Sequence, residues 1–332
     1  MVSPYLRSRQ HTPLPLPMSD CKRQERSPER GSSYRRKNAC SYRYRDSRLS
    51  IANWSNGMLY RLDLTQSWAF TPCSMAGIAK EINNQILEVT FQMNEKNTVD
   101  AQFGKDFSAM LGDAEKDSGI RGLIVRGGNG FFSNGFEPNS FVGTTKEEIE
   151  AVIGPAFRIC GQVMKLPFPV AMVLNGHAMG YGAILSLYAD FRYMQSKQAR
   201  FGFPEINIGL PIPSAPALML QDIAGRALTR DMILGKALKA DQALQAGIVD
   251  AVFDDEETMM DRARKDISSL SKFARSTVRM NREMMYKRYK DSIPAAIEYD
   301  IELASTAIMA PAGQEGLGAL KDGRRPDFSS VD

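Results

Sequence analysis

The sequence predicts an α/β domain, and three observations predict it. Apolar runs of strand length, Ile86–Met93, Ile120–Arg126 and Phe168–Leu174, alternate with stretches whose apolar residues recur at helical spacing. Glycine- and asparagine-rich turns fall where the period changes. The last third of the 332 residues then reads as mainly helical.

Order begins near Met75. Ile78–Asn83 and Ile86–Met93 read as two strands around a turn at Asn84-Gln85. Thr98 is the expected cap of a helix carrying Val99, Phe103, Phe107, Met110 and Leu111 at helical spacing. Ile120–Arg126 is a buried strand ended by Gly127-Gly128-Asn129-Gly130. Thr145 and Glu148 form a capping box for the next helix, in which Pro155 predicts a kink. Phe168–Leu174 is an apolar strand, Gly182–Tyr188 a short helix and Asp190–Met194 a strand. Beyond them the helical third turns near Gly235, Gly247 and Pro294.

Residues 1–74 differ in kind. They hold 13 Lys/Arg against five Asp/Glu, a charge of +8, while the remainder carries −4. Residues 1–50, rich in Arg, Ser and Pro, lack the apolar surface that would offset the entropy of ordering. The expected organisation is therefore a disordered basic extension over 1–74 and one domain over 75–332. Three readings of the extension stand side by side: an Arg- and Ser-rich transit peptide, a solvated arm, or upstream sequence joined to a protein that starts at Met75. The C-terminal Ser330-Val331-Asp332 is not a Ser-Lys-Leu signal, so mitochondrion and peroxisome both stay open.

Composition narrows the chemistry. No apolar run approaches the roughly 18 residues of a membrane span; Leu166 to Asn175 is short and holds two prolines. The basic excess sits in the extension, so net charge is no nucleic-acid signature of the domain. With His11 and His177 as the only histidines and no Cys-x-x-Cys, no metal site is expected.

Three segments can carry chemistry. Phe131-Phe132-Ser133-Asn134-Gly135-Phe136-Glu137 follows a strand and a glycine turn, where outward N–H groups can meet an oxyanion. It fits neither Gly-x-Gly-x-x-Gly nor a nucleophile elbow, and a plain strand-to-loop turn is the alternative. Asn175-Gly176-His177-Ala178-Met179-Gly180-Tyr181-Gly182 enters a helix, where free N–H groups and the helix dipole favour negative charge. Close packing on a sheet asks for the same glycines, and a lone His177 reads first as a turn or core residue. Glu205 is the only charge in residues 201–220. It is either an ion-pair partner of Arg200 or Arg192, or a base with a tuned pKa. Together the three suit proton removal beside a carbonyl, with N–H groups holding the enolate oxygen.

These residues resemble the enoyl-CoA hydratase/isomerase (crotonase) superfamily, over about residues 76–328. Ile120–Glu137 and Pro169–Met194 look like its two oxyanion segments, and Phe201–Leu210 resembles its Phe-Gly-x-Pro-Glu region. Leu234–Val252 is similar to its Gly-x-x-x-x-Ala-x-x-Ala-x-x-x-Gly-x-Val segment, and Gln314–Phe328 to its Glu-Gly…Arg-x-Pro-x-Phe ending. The resemblance implies a crotonase-like spiral of ββα repeats with a helical C-terminal region. It implies that the backbone N–H groups of Phe136 and Tyr181 form an oxyanion hole for the thioester of an acyl-CoA. Asn134, Gly135, Gly180 and Gly182 would stand around that substrate, with Lys96 as a candidate for the CoA phosphates.

Hydratases of this superfamily use two glutamates. One position is Ile184 here and the other matches Glu205. Adding water asks for two carboxylates, whereas moving a double bond from Δ3 to Δ2 asks for one. The expectation is therefore a Δ3-Δ2 enoyl-CoA isomerase of fatty acid β-oxidation, resembling the plant-type enzymes, with Glu205 as proton shuttle. It would need no cofactor, coenzyme A being part of the substrate, and would assemble as a homotrimer or hexamer. A hydratase or other acyl-CoA enzyme is the alternative. A non-catalytic RNA- or protein-binding relative is the last one; the intact carboxylate and oxyanion segments argue against it.

Overall fold

In the computed structural model residues 77–331 are described, and the extension 1–74 lies outside them. The described chain starts with a hairpin. Strands β1 (Gly77–Asn83) and β2 (Ile86–Gln92) pair antiparallel. Asn84 and Gln85 join them at φ of 49° and 68°, the two left-handed residues that match the twist of a two-residue hairpin.

Helix α1 (Ala101–Lys116) is followed by β3 (Gly122–Gly127), β4 (Phe131–Ser133) and α2 (Lys146–Lys165). Then come β5 (Val170–Leu174), β6 (His177–Met179) and α3 (Tyr181–Ser186), and after them β7 (Phe191–Gln195), β8 (Arg200–Gly202) and α4 (Ser214–Ile233). This is the expected run of ββα repeats. Both strands of the first repeat and the first strand of each later one enter a large sheet of order β1-β2-β3-β5-β7-β10, parallel except for β1. The second strand of each later repeat enters a small sheet, β4-β6-β8-β9. The remaining elements are β9 (Leu238–Lys239), α5 (Ala240–Gln245), β10 (Ala251–Phe253), α6 (Glu256–Ser271), α7 (Arg275–Met285), α8 (Ser292–Met309) and α9 (Pro311–Lys321).

Alternation along the large sheet decides which layer each side chain joins. Ile124, Ala171, Val173 and Tyr193 pack under α6, against Met259, Met260, Ala263 and Ile267. Leu123, Val125, Met172 and Leu174 face the main core with Phe103, Phe107, Ile153 and Phe157 of α1 and α2. The small sheet was not foreseen, because strands of two or three residues are too short to show a period.

One local expectation needs correction. The cap of α1 is Asp100, whose side chain accepts from the Phe103 N–H at 2.9 Å. Thr98 instead donates to Glu137 at 2.7 Å, and Val99 lies in an extended bridge before the helix begins. Helix α2 continues through Pro155 as one helix. Its capping box and its packing on α1 outweigh the one lost N–H. The break in a long helix falls at Gly225 of α4, at φ 77° and ψ 161°. The turn expected near Pro294 falls at Lys290-Asp291, and Pro294 itself lies in the first turn of α8.

Candidate active site

Val99 sets the first oxyanion segment. Its N–H donates to the Gly135 carbonyl and its carbonyl accepts from the Glu137 N–H, both at 2.9 Å. In an extended segment successive N–H groups point to opposite sides. With residues 135 and 137 turned to Val99, the Phe136 N–H points away, and no protein group among those described accepts it. Gly135, at φ 91°, makes the turn that a side chain would strain.

The second segment reaches the same place from β6. Gly180, at φ 54° and ψ −124°, precedes the first residue of α3 and donates its own N–H to Gly202 of β8 at 3.0 Å. The Tyr181 N–H begins the helix and has no acceptor among the described residues, as expected of a first-turn amide. A methyl built on Gly135 would stand 3.5 Å from this nitrogen, so the two segments face each other closely. The tyrosine ring turns away into the core, between Phe103 and Phe136, and its hydroxyl donates to the Ala156 carbonyl of α2 at 2.7 Å.

Glu205 opens a short 3-10 turn, Glu205–Ile208, closed by Gly209 at φ 67°. Neither expected ion pair forms. Arg192 is buried and donates instead to the carbonyls of Ile248 and Ala189. No salt bridge joins Arg200 to Glu205. The residue is half-buried, but its Oε2 is shielded from solvent and has no hydrogen-bond partner. Burial pushes its carboxyl from 4.5 up to about 7, offset only in part by a backbone N–H.

These groups share one cavity of about 110 Å³. Asn134, Gly135, Phe136, Gly180, Tyr181 and Glu205 line it, and Ile184 stands among them. Glu205 is the only ionisable carboxylate on its described wall. Lys96 lies outside, in an adjoining polar cleft that also meets Asn134 and Phe136. Gly182 does not line the cavity; a methyl there would press on Ser133, so it serves the packing of α3 on β4. His177 is also off the wall, beside the Phe131 ring, and burial with the Arg200 charge holds its pKa down. No cluster of metal-ligating side chains occurs among the described residues, and no helix there is long and apolar enough to cross a membrane.

The sequence reading missed the opposite wall. Ala304 and Ile308 of α8 and Leu317 and Leu320 of α9 close the cavity. Ile293, Ile297, Ile301 and Ile308 form a buried face of α8, and helical spacing alone does not say what such a face meets. Gln314 fastens this wall to the loop after the first segment, donating to the Phe141 and Ile308 carbonyls at 3.1 and 2.8 Å. Gly316 lets α9 lie directly on the Ile208 carbonyl, which seats the Glu205 turn. The cleft also gains Lys321, a second cation that the sequence reading did not single out.

Known proteins share the sequence pattern and the fold of this chain. Residues 81–331 match the family model described as enoyl-CoA hydratase/isomerase. A "Probable enoyl-CoA hydratase" of Bacillus subtilis is 22% identical over 256 residues, 76% of this chain and 99% of that protein. The carnitinyl-CoA dehydratase of Escherichia coli K12 is 29% identical over 64% of this chain and 85% of its own length. Human mitochondrial Δ3-Δ2-enoyl-CoA isomerase superposes with a TM-score of 0.70 at 19% identity, covering 74% of this chain and 97% of the other. At that identity the likeness is one of fold.

Proposed function

The chain belongs to the enoyl-CoA hydratase/isomerase family, and within it we propose that it is a Δ3-Δ2 enoyl-CoA isomerase. The observation that carries this reading is the single carboxylate. Glu205 stands alone on the cavity wall, and Ile184, 3% exposed, fills the place where hydratases carry a second.

In this reading the thioester oxygen of a 3-enoyl-CoA accepts from the Phe136 and Tyr181 N–H groups. Glu205, ionised, takes a proton from C2. The electron pair spreads over C2, C4 and the thioester oxygen, where the two fixed donors stabilise it without reorganising. Glu205 then returns the same proton to C4, leaving the double bond at C2. A carboxyl that titrates near 7 is suited to both halves, being a stronger base than an exposed glutamate and still an acid once protonated. The apolar wall keeps bulk water from the dienolate. Coenzyme A arrives with the substrate, so the reaction calls for no further cofactor. Fatty acid β-oxidation is the setting such an activity would serve.

The test is turnover of a 3-enoyl-CoA by wild type and by Glu205→Gln, with crotonyl-CoA hydration measured in parallel. Isomerisation lost in the variant supports the reading. Isomerisation retained, or hydration as fast as isomerisation in the wild type, overturns it.

A further inference from the structure

Helix α4 begins without a cap of its own. Pro213 stands at the cap position and offers no side-chain acceptor, while the first N–H groups of a helix have no partner within it. The acceptor comes from α8. Asp300, 1% exposed, accepts from the N–H and hydroxyl of Ser214 at 2.7 Å and from the Ala215 N–H at 2.8 Å. These three donors and the positive end of α4 compensate a carboxylate taken out of water.

The base lies one short strap upstream of this joint. The turn that carries Glu205 closes with the Leu210 N–H donating to the Glu205 carbonyl at 3.0 Å. From there only Pro211, Ile212 and Pro213 lead to Ser214, and each proline fixes its own φ. Leu210, Pro211 and Pro213 line the cavity. So do Ala304 and Ile308, which stand one and two turns beyond Asp300 on the same side of α8. One side of α8 therefore closes the cavity and grips the far end of the strap.

We propose that Asp300 is a positioning residue for Glu205: it holds the end of the strap, and with it the turn that keeps the carboxylate beside the oxyanion donors. This rests on the reading of Glu205 as the base and adds what keeps that base in place. Asp300 does not line the cavity, so it acts through the chain between. Its loss frees the strap, lets water reach the Glu205 carboxylate and misplaces the base without removing it.

The experiment follows Glu205 by nuclear magnetic resonance of protein with isotope-labelled glutamate carboxyls, its signal being the one that Glu205→Gln removes. Wild type, Asp300→Asn and Asp300→Glu are compared by this titration, then by kcat and KM on a 3-enoyl-CoA. Asparagine keeps the shape but loses the charge and sets an N–H against that of Ala215. Glutamate keeps the charge and lengthens the arm by a methylene. Burial holds the wild-type carboxyl at about 7, and in both variants its midpoint should fall toward 4.5 by roughly half a unit or more. In both, kcat should drop about tenfold or more, with KM changed less than about threefold. A midpoint unmoved in folded Asp300→Glu overturns the proposal, because a shift in Asp300→Asn alone is the effect of a lost charge. A moved midpoint with unchanged kcat overturns it as well. Where Asp300→Glu does not fold, Ser214→Ala decides instead: it keeps the charge, removes one bond and should move the midpoint the same way. The titration needs no substrate, so the two readings fail separately. A moved midpoint in a protein that does not isomerise sinks the reaction and leaves the positioning role standing; Glu205-dependent isomerisation with an unmoved midpoint does the reverse.

Discussion

A methyl group placed on Gly180 would stand 3.2 Å from Oε1 of Glu205. The glycine that turns the second oxyanion segment and the only carboxylate on the cavity wall are therefore neighbours. In the proposed reaction, the donor for the thioester oxygen and the base for its α-proton would thus be set by one contact between two parts of the chain.

Gly180→Ala should therefore damage catalysis more than stability. The positive φ costs an alanine on the order of 1–3 kcal/mol, and the added methyl crowds Glu205 as well. A kcat reduced at least tenfold, with the protein still folded by thermal melting, is the expected result. A kcat equal to wild type would show that the carboxylate does not need this approach.

The pH dependence follows from burial of Glu205. Its carboxyl is raised from 4.5 to about 7, so activity that needs the ionised base should rise through about pH 7 on the kcat/KM profile. A rise centred near 4.5 would mean that the carboxylate is solvated in the working enzyme.

Stability carries the opposite sign. The folded state holds the Glu205 proton more tightly than the unfolded chain does, so this group costs stability as pH rises from 4.5 through 7 and above. Glu205→Gln removes that penalty. The variant should be the more stable protein at pH 8, by on the order of 2 kcal/mol, with the gap closing below pH 4.5. Chemical denaturation at both pH values measures it.

Tyr181→Phe separates backbone from side chain. It removes the hydroxyl bond to Ala156 and should cost about 1 kcal/mol of stability. The N–H that faces the cavity remains, so kcat should stay within a few-fold of wild type. A large loss of kcat would give the hydroxyl, or the tilt of α3 that it fixes, a larger part in the reaction.

Gly316→Val tests the seat of the Glu205 turn. Any side chain there overlaps the Ile208 carbonyl, and overpacking of this kind costs about 1–3 kcal/mol. Displacing the 3-10 turn should also lower kcat, although residue 316 does not line the cavity. Unchanged kinetics in a folded variant would show that α9 does not position Glu205.

Much of the site was legible locally. The glycines of both segments, the strands before them and the isolation of Glu205 among apolar residues all lie within stretches of about ten residues, where period and turn chemistry speak directly. The same local view misread Thr98. A threonine before an apolar helix looks like a cap, but its hydroxyl is drawn to Glu137, 39 residues on, and Asp100 caps the helix instead.

By itself, then, the sequence determined the α/β class, the main strands, the capping box at Thr145 and the segments able to donate N–H groups. Tertiary structure decided which way those groups point. Phe136 is free because Val99 occupies the residues on either side of it, and Glu205 is raised because the fold buries its carboxyl away from water. The wall from α8 and α9 is likewise contributed from about a hundred residues downstream of Glu205. A hydrogen bond or a burial shared by distant residues leaves no period in the chain, and it takes effect only once the fold has closed the distance.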